Sequence, residues 1–353
     1  MTSSRLRPSA LRRLATAAGL LTVSSLSLSG CLAGEDAAPA DAAEGAADSL
    51  AIDYATYNPL SLVIKEKGWL EAALAEEGVE VEWVFSAGSN KANESLRAEA
   101  VDIGSTAGSA ALLARANGSP IHVIDLYSQP EWSALVTAPD SGIESVADLK
   151  GKTVAATKGT DPYFFLVQAL ATEGLTIDDV EVQNIQHADG RTALENGQVD
   201  AWSGLDPIMA ASEGAGNTLF YRNVDFNTYG FLNANASFLE ESPELAQTVV
   251  DVYAYARDWA LANTEETTRI LAEEAGIEED VAAATIERTH LDIDPVPGPD
   301  QIEVLERIAP TLVETGDVSD QAQVDEAIDT IVDDTYASEA DASRVAEAIE
   351  AAG

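Results

Sequence analysis

The chain has 353 residues with 61 acidic and 19 basic side chains, a formal charge of −42 near neutral pH. That surplus argues against nucleic acid or anionic lipid as a partner, because both are held by clustered Lys and Arg. One cysteine and three histidines give no disulfide framework and no metal-ligand spacing, and HExxH, CxxC, GxSxG and P-loop patterns are missing, so the sequence predicts no metal, no cofactor and no catalytic nucleophile.

Taken in chain order, Arg5, Arg7, Arg12 and Arg13 precede an apolar run at 15–28, and no acidic residue occurs before Glu35. A basic start, a short apolar run and small residues at its end predict an export signal; a membrane span needs about 20 apolar residues. Leu28-Ser29-Gly30-Cys31 resembles the lipobox of bacterial lipoproteins. That resemblance implies removal of residues 1–30, a lipid on the Cys31 thiol, and a chain anchored to the extracytoplasmic face of the cell membrane by that lipid alone. The mature chain would keep 19 − 4 = 15 basic residues against 61 acidic ones. Salt would screen the resulting self-repulsion, so a saline habitat is one expectation. Residues 31–49, rich in Ala, Gly, Asp and Glu, read as a flexible acidic tether.

From Leu50 onward, strands alternate with helices, the pattern of an α/β sheet covered on its faces. Strands are predicted at 50–54, 79–85, 101–104, 121–126, 153–156, 180–185 and 200–202. Helices are predicted to follow 86–90 and 105–109, and at 163–173, 191–197 and 244–262. The last of these carries Leu245, Val249, Val252, Tyr253, Ala256, Trp259 and Ala260 at helical spacing. The chain reads as extended again from Phe231. Residues 316–353 are acidic; Val324, Ala327, Ile328 and Ile331 predict one packed helix there, followed by a solvated tail.

Three turns stand out: 86–90 (SAGSN), 105–109 (STAGS) and 158–161 (KGTD), each expected between a strand and a helix. A helix N-terminus offers unpaired N–H groups and partial positive charge, which suit a small anion, although Ser, Thr and Asp are also ordinary caps. Ser89 belongs to the first turn. Aromatic side chains near the turns, Tyr57 among them, are candidate walls for an apolar tail. Trp132 and Trp202 are the two expected to face a cleft, because their neighbours are polar. Asp161-Pro162 and Asp206-Pro207 read as a cap followed by Pro at the first helical position; the functional alternative is that one aspartate accepts a hydrogen bond from the ligand. His122, within an apolar strand, reads as a core residue.

Residues 146–155 (VADLKGKTVA) followed by Lys158-Gly159-Thr160 resemble a segment of ABC-transporter solute-binding proteins, nearest to the aliphatic sulfonate, taurine and nitrate group. Asp102-Ile103-Gly104-Ser105-Thr106, Ala188-Asp189-Gly190-Arg191, residues 195–202 (ENGQVDAW) and Asp206-Pro207 are similar to further motifs of that group, in order, over about residues 50–310. The resemblance implies an α/β, two-lobed periplasmic-binding-protein-like clamp of type II, each lobe a mixed sheet flanked by helices, joined by two crossover segments. Lobe one is expected at 50–133 plus 235–315 and lobe two at 134–234. Thr106, Ala107 and Gly108 would donate to the ligand's anionic head from lobe one, facing Thr160 and Asp161, with Trp202 and Asp206 nearby. The implied function is a monomeric receptor that delivers a small organic anion, an aliphatic sulfonate or taurine, to the permease and ATPase of an ABC importer. Nitrate, bicarbonate and a thiamine-precursor pyrimidine are the other ligands it leaves open, and a pyrimidine-precursor synthase-like enzyme is the rival class. The chain departs from the group where Gly108 replaces an aspartate and where the KGTDPY run places Asp161 and Tyr163 in positions the group fills with Asn and His. Taurine's ammonium is one way to accommodate the charge of Asp161.

Overall fold

The computed structural model describes residues 48–352; Cys31, the export signal and nearly all of the tether lie outside the described residues. Two mixed sheets form the framework. The first takes β1 (Ser49–Tyr54), β2 (Glu80–Phe85), β3 (Ile103–Ala107), β4 (Ile121–Pro130), β10 (Gly230–Asn235) and the short β11 (Thr289–His290), in the order β11-β4-β10-β3-β1-β2. The second takes β5 (Ser133–Thr137), β6 (Thr153–Ala156), β7 (Glu181–Asn184), β8 (Ala201–Leu205) and β9 (Thr218–Tyr221), in the order β7-β6-β8-β5-β9.

Leaving out β11, the two sheets share one plan. Three strands of each pair in parallel, β2-β1-β3 and β7-β6-β8, with the earliest of the three in the middle, and one reversed strand lies next to them. That strand is β10 in the first sheet, antiparallel to β3 and β4, and β5 in the second, antiparallel to β8 and β9. Each reversed strand is delivered by a crossing of the chain from the other sheet: β4 to β5 through Glu131-Trp132, and β9 to β10 through residues 222–229. The two crossings are tied together, since Arg222 donates to both carboxylate oxygens of Glu131 (3.0 and 2.6 Å) and the Ser133 N–H donates to Asn227 Oδ1 at 2.9 Å. Strands β3, β5, β8 and β10 are buried throughout, as expected for inner strands covered on both faces.

The sequence expectation ended the second crossing at 234/235, but strand pairing of Gly230–Asn235 with β3 and β4 places that whole segment in the first sheet, and Ser133 already pairs with Leu205 in the second. The turn expected at 105–109 is also shorter: Ser105, Thr106 and Ala107 finish β3, and the helix Gly108–Ala116 follows at once. Small side chains suit a strand enclosed between β1 and β10, so residues that read as a loop by composition are sheet.

Helix Pro243–Ala262 buries Leu245, Val249, Val252, Tyr253, Ala256 and Ala260 against the first sheet's core, and Trp259 packs edge-on to Trp69 with centroids 5.3 Å apart. Helix Gln321–Ile331 buries Val324, Ala327, Ile328 and Ile331, the four residues its spacing marks. The expected solvated tail is not one. Helix Ser343–Ala352 buries Val345 and Ile349, one turn apart, within the same core, and Arg344 binds the buried carboxylate of Asp251 at 2.9 Å. Among the described residues no helix is long and apolar enough to cross a membrane.

Candidate functional site

In open α/β sheets, ligands sit beyond the carboxyl ends of parallel strands, and here those ends meet. Ser89 opens helix Ser89–Arg97 after β2, Ala107 caps Gly108–Ala116 after β3, and Thr160 caps Asp161–Thr172 after β6. These residues, with Asp161, Tyr57, Trp132, Pro162 and Leu205, line one narrow cavity, closed up so far that it admits no water-sized sphere. Such a space is far below the ~300–1,000 Å³ of sites for drug-sized ligands, so a ligand enters only when the two sheets' strand ends move apart.

Each lining group is held by a specific contact. The Tyr57 hydroxyl donates to the Ser105 carbonyl at 3.0 Å, and its ring meets that of Trp132 edge-on, 6.2 Å between centroids at 88°. Ser89 Oγ accepts the Ala107 N–H at 2.9 Å, which joins two of the helix starts. Thr160 Oγ1 donates to the Thr157 carbonyl at 2.6 Å. The lining contains no Lys or Arg, so positive potential comes from the helix N-termini.

Asp161 is 1% exposed and its carboxylate faces protein donors. Oδ2 accepts Trp132 Nε1 at 2.9 Å and the Thr228 N–H at 2.8 Å; Oδ1 accepts Thr228 Oγ1 at 2.8 Å and the Ser109 hydroxyl. Burial raises its pKa, and the donors from Ser109, Thr228 and Trp132 oppose that rise. Behind the cavity, Asp53 is fully buried, accepts the Ser105 N–H and hydroxyl at 2.8 and 2.7 Å, and is pushed up to about 6 by burial.

Of the ten residues expected to bind ligand, Tyr57, Ser89, Ala107, Trp132, Thr160 and Asp161 line the cavity and four do not. Thr106 turns into the sheet, where its Oγ1 accepts Asn233 Nδ2 at 2.9 Å. Gly108 is a point of close approach: a Cβ there would stand 3.2 Å from Phe231 Cζ and Thr228 Cβ, which leaves no room for the acidic side chain of the resembling group. Trp202 is fully buried with Ala155, Leu194 and Met209 in a core behind the site. Asp206 accepts the Ala210 N–H at 2.8 Å and pairs with Arg288 at 3.4 Å; burial still pushes it up to about 7. Polar neighbours in sequence single out Trp202 and the resemblance brings in Asp206, but alternation along β8 points Trp202 to the packed face. Ser109 stood in a flagged turn without a role, and Leu205 and Pro162 had no signal beyond adjacency. Thr228, 67 residues from Asp161, had none.

A larger hollow of about 680 Å³, bordered by Glu94, Arg97, Leu113, Gly159 and Asp317 among others, includes open solvent. It sets two carboxylates against one guanidinium and suits an anion poorly. Among the described residues no cluster of His, Cys, Asp and Glu is arranged to hold a metal.

Two sheets of one plan, crossed twice by the chain around a cavity between their strand ends, define the periplasmic-binding-protein fold. Residues 60–267 match the family described as NMT1/THI5 like, and the chain belongs to it. It is 28% identical over 273 residues, 76% of this chain and 81% of the relative, to a protein of Escherichia coli (strain K12) named as an aliphatic sulfonates-binding protein. The solved alkanesulfonate-binding protein SsuA from Xanthomonas axonopodis pv. citri, bound to MOPS, superposes with a TM-score of 0.72 at 22% identity, covering 80% of this chain and 98% of that one. The desulfurization enzyme DSZB shares the fold more distantly, with a TM-score of 0.59 at 16% identity over 86% of this chain and 99% of its own.

Proposed function

We propose that this protein is the extracytoplasmic solute receptor of an ABC importer and that it captures a small aliphatic sulfonate. The observation that carries the reading is the convergence of three helix starts, at Ser89, Ala107 and Thr160, on one cavity walled by Tyr57, Trp132 and Leu205. The positive ends of these helices favour the anionic head, and the aromatic and aliphatic wall takes the hydrocarbon. That wall favours a sulfonate with a short tail over nitrate or bicarbonate, which have no tail to bury. The names of the Escherichia coli relative and of the Xanthomonas structure point the same way.

A binding role is favoured over an enzymatic one by the state of the polar groups at the cavity. Ser89, Thr160 and Asp161 are each engaged by protein partners, so none stands free as a base or nucleophile. In this reading a lipid on Cys31 anchors the chain, the tether keeps it near its permease and raises its effective concentration there, and the permease and ATPase complete the importer.

The test is calorimetric titration of the mature protein, residues 31–353 without lipid, with ethanesulfonate, nitrate and a 4-amino-5-hydroxymethylpyrimidine. Saturable heat from the sulfonate is expected. Heat only from nitrate or only from the pyrimidine overturns the reading. A thermal-shift series corroborates it, since ligand at 100 times its Kd adds about 2.7 kcal/mol to stability.

A further inference from the structure

The four donors on Asp161 come from three separate parts of the molecule. Asp161 itself starts the helix after β6 in the second sheet. Ser109 lies in the first turn of Gly108–Ala116, beside the first sheet; Trp132 lies on the first crossing and Thr228 on the second. An ionised carboxylate offers about four lone-pair sites. Here they are taken by Ser109 Oγ, Thr228 Oγ1, the Thr228 N–H and Trp132 Nε1. All three partner residues are buried.

We infer that Asp161 is a specificity-determining latch: its carboxylate ties both crossings and the first-sheet helix to the second sheet, and it therefore leaves no acceptor for a cationic group on the ligand. Asp161 is the one carboxylate among the residues lining the cavity. A ligand ammonium placed there meets acceptor lone pairs already occupied by Ser109, Thr228 and Trp132, and burying it without an acceptor is unfavourable. The substrate class narrows to compact sulfonates whose tails carry no amine, and taurine is rejected. It stands against the expectation that a ligand ammonium balances the charge of Asp161. The inference rests on the sulfonate-receptor reading.

Closure of two lobes on a ligand is the working motion of this fold; the Ser109 bond to Asp161 spans the two parts that such a motion separates, and the Trp132 and Thr228 bonds fix the crossings about which it turns. Asp161 thus acts twice, by holding the closed form and by filtering what fits inside it.

The experiment titrates ethanesulfonate and taurine, nearly equal in size and differing by the ammonium, into the wild-type protein and into Ser109→Ala. The wild type should bind taurine at least about tenfold more weakly, a difference of about 1.4 kcal/mol. Ser109→Ala frees one lone pair on Oδ1, so the preference should narrow by threefold or more; a merely structural serine would weaken both ligands alike and leave their ratio unchanged. Asp161→Asn, which can accept only through one oxygen, should speed ethanesulfonate dissociation by about tenfold and enlarge the ligand-free radius of gyration in small-angle scattering. Should Asp161→Asn fail to fold, the Ser109→Ala ratio decides alone. Taurine bound as tightly as ethanesulfonate, or a ratio unmoved in Ser109→Ala, overturns the inference while leaving the receptor reading intact. No heat from either sulfonate overturns that reading and this inference with it.

Discussion

His187 and Gly88 meet across the gap between the two sheets: a Cβ built on Gly88 would stand 3.1 Å from Nε2 of His187. His187 opens helix His187–Glu195 of the second sheet's half, while Gly88 caps the helix that follows β2 in the first. The imidazole is 1% exposed, with Nδ1 3.2 Å from Thr157 Oγ1.

A methyl group at Gly88 competes with that ring for space, and it also stands 2.9 Å from Asn90 Oδ1. Gly88→Ala should cost about 1–3 kcal/mol in closing the site, as overpacking does, and raise the Kd for ethanesulfonate by tenfold or more. A Kd within twofold of the wild type would show that the contact does not govern closure.

Burial pushes His187 down to about 3, well below its ordinary 6.5. A group depressed on folding contributes stability in full above its unfolded pKa and loses it as pH falls toward the folded value. The window is therefore pH 6.5 down to about 3, with a limiting slope of about 1.4 kcal/mol per pH unit. Urea unfolding at half-unit steps should show this loss in the wild type and not in His187→Gln; parallel curves for the two proteins would contradict the assignment.

Asp53 acts with the opposite sign. Its carboxyl is pushed up from 3.8 to about 6 by burial, so the folded state holds its proton longer than the unfolded chain. Its contribution is complete below about pH 4 and disappears as pH rises through about 6, on the order of 2–3 kcal/mol in all. Asp53→Asn keeps an acceptor for Ser105 and removes the titration. The variant should gain on the wild type between pH 4 and 7 in the same unfolding series, and an unchanged difference across that range would sink the claim.

Trp202 packs against Gly190, where a Cβ would lie 2.7 Å from both Cδ1 and Nε1 of the indole. Gly190→Ala should therefore destabilise by about 1–3 kcal/mol through overpacking of a rigid ring. Trp202→Phe should lower stability but leave ethanesulfonate affinity within about twofold, because the side chain lies behind the site. A tenfold loss of affinity in Trp202→Phe would return the residue to the ligand.

The acidic end of the chain gives a fourth stability test. The Asp251 side chain is 3% exposed and faces Arg344, itself 47% exposed. Arg344→Ala should cost about 1–2 kcal/mol, less than a fully buried pair because solvent screens the guanidinium. Equal midpoints for variant and wild type would mean that Gln247 Nε2 and the Asp341 N–H, which also donate to Asp251, suffice for the carboxylate.

Local pattern made the fold legible where periodicity is strong. Helix Pro243–Ala262 and helix Gln321–Ile331 were visible because apolar residues recur at 3.6-residue spacing, and the early strands because short apolar runs are bounded by Gly, Ser and Asn. The end of β3 is not legible this way, since Ser105, Thr106 and Ala107 read as a loop by composition and become strand only when β10 pairs with them. Helix Ser343–Ala352 reads as solvated tail because charge dominates its sequence, whereas two residues, Val345 and Ile349, decide its packing.

The sequence by itself determined the alternation of strands and helices, the three small-residue turns at strand ends and the acidic surface, because each is written in neighbouring residues. Only the tertiary structure decided which of those turns share a cavity, that Trp202 and Asp206 stand outside it, and that Asp161 faces Ser109, Trp132 and Thr228. Those contacts join residues 29 to 67 positions apart. Nothing in local propensity or composition specifies such a pairing; it exists because two sheets of the same plan bring their strand ends together, and only then does a buried carboxylate find donors from both sides.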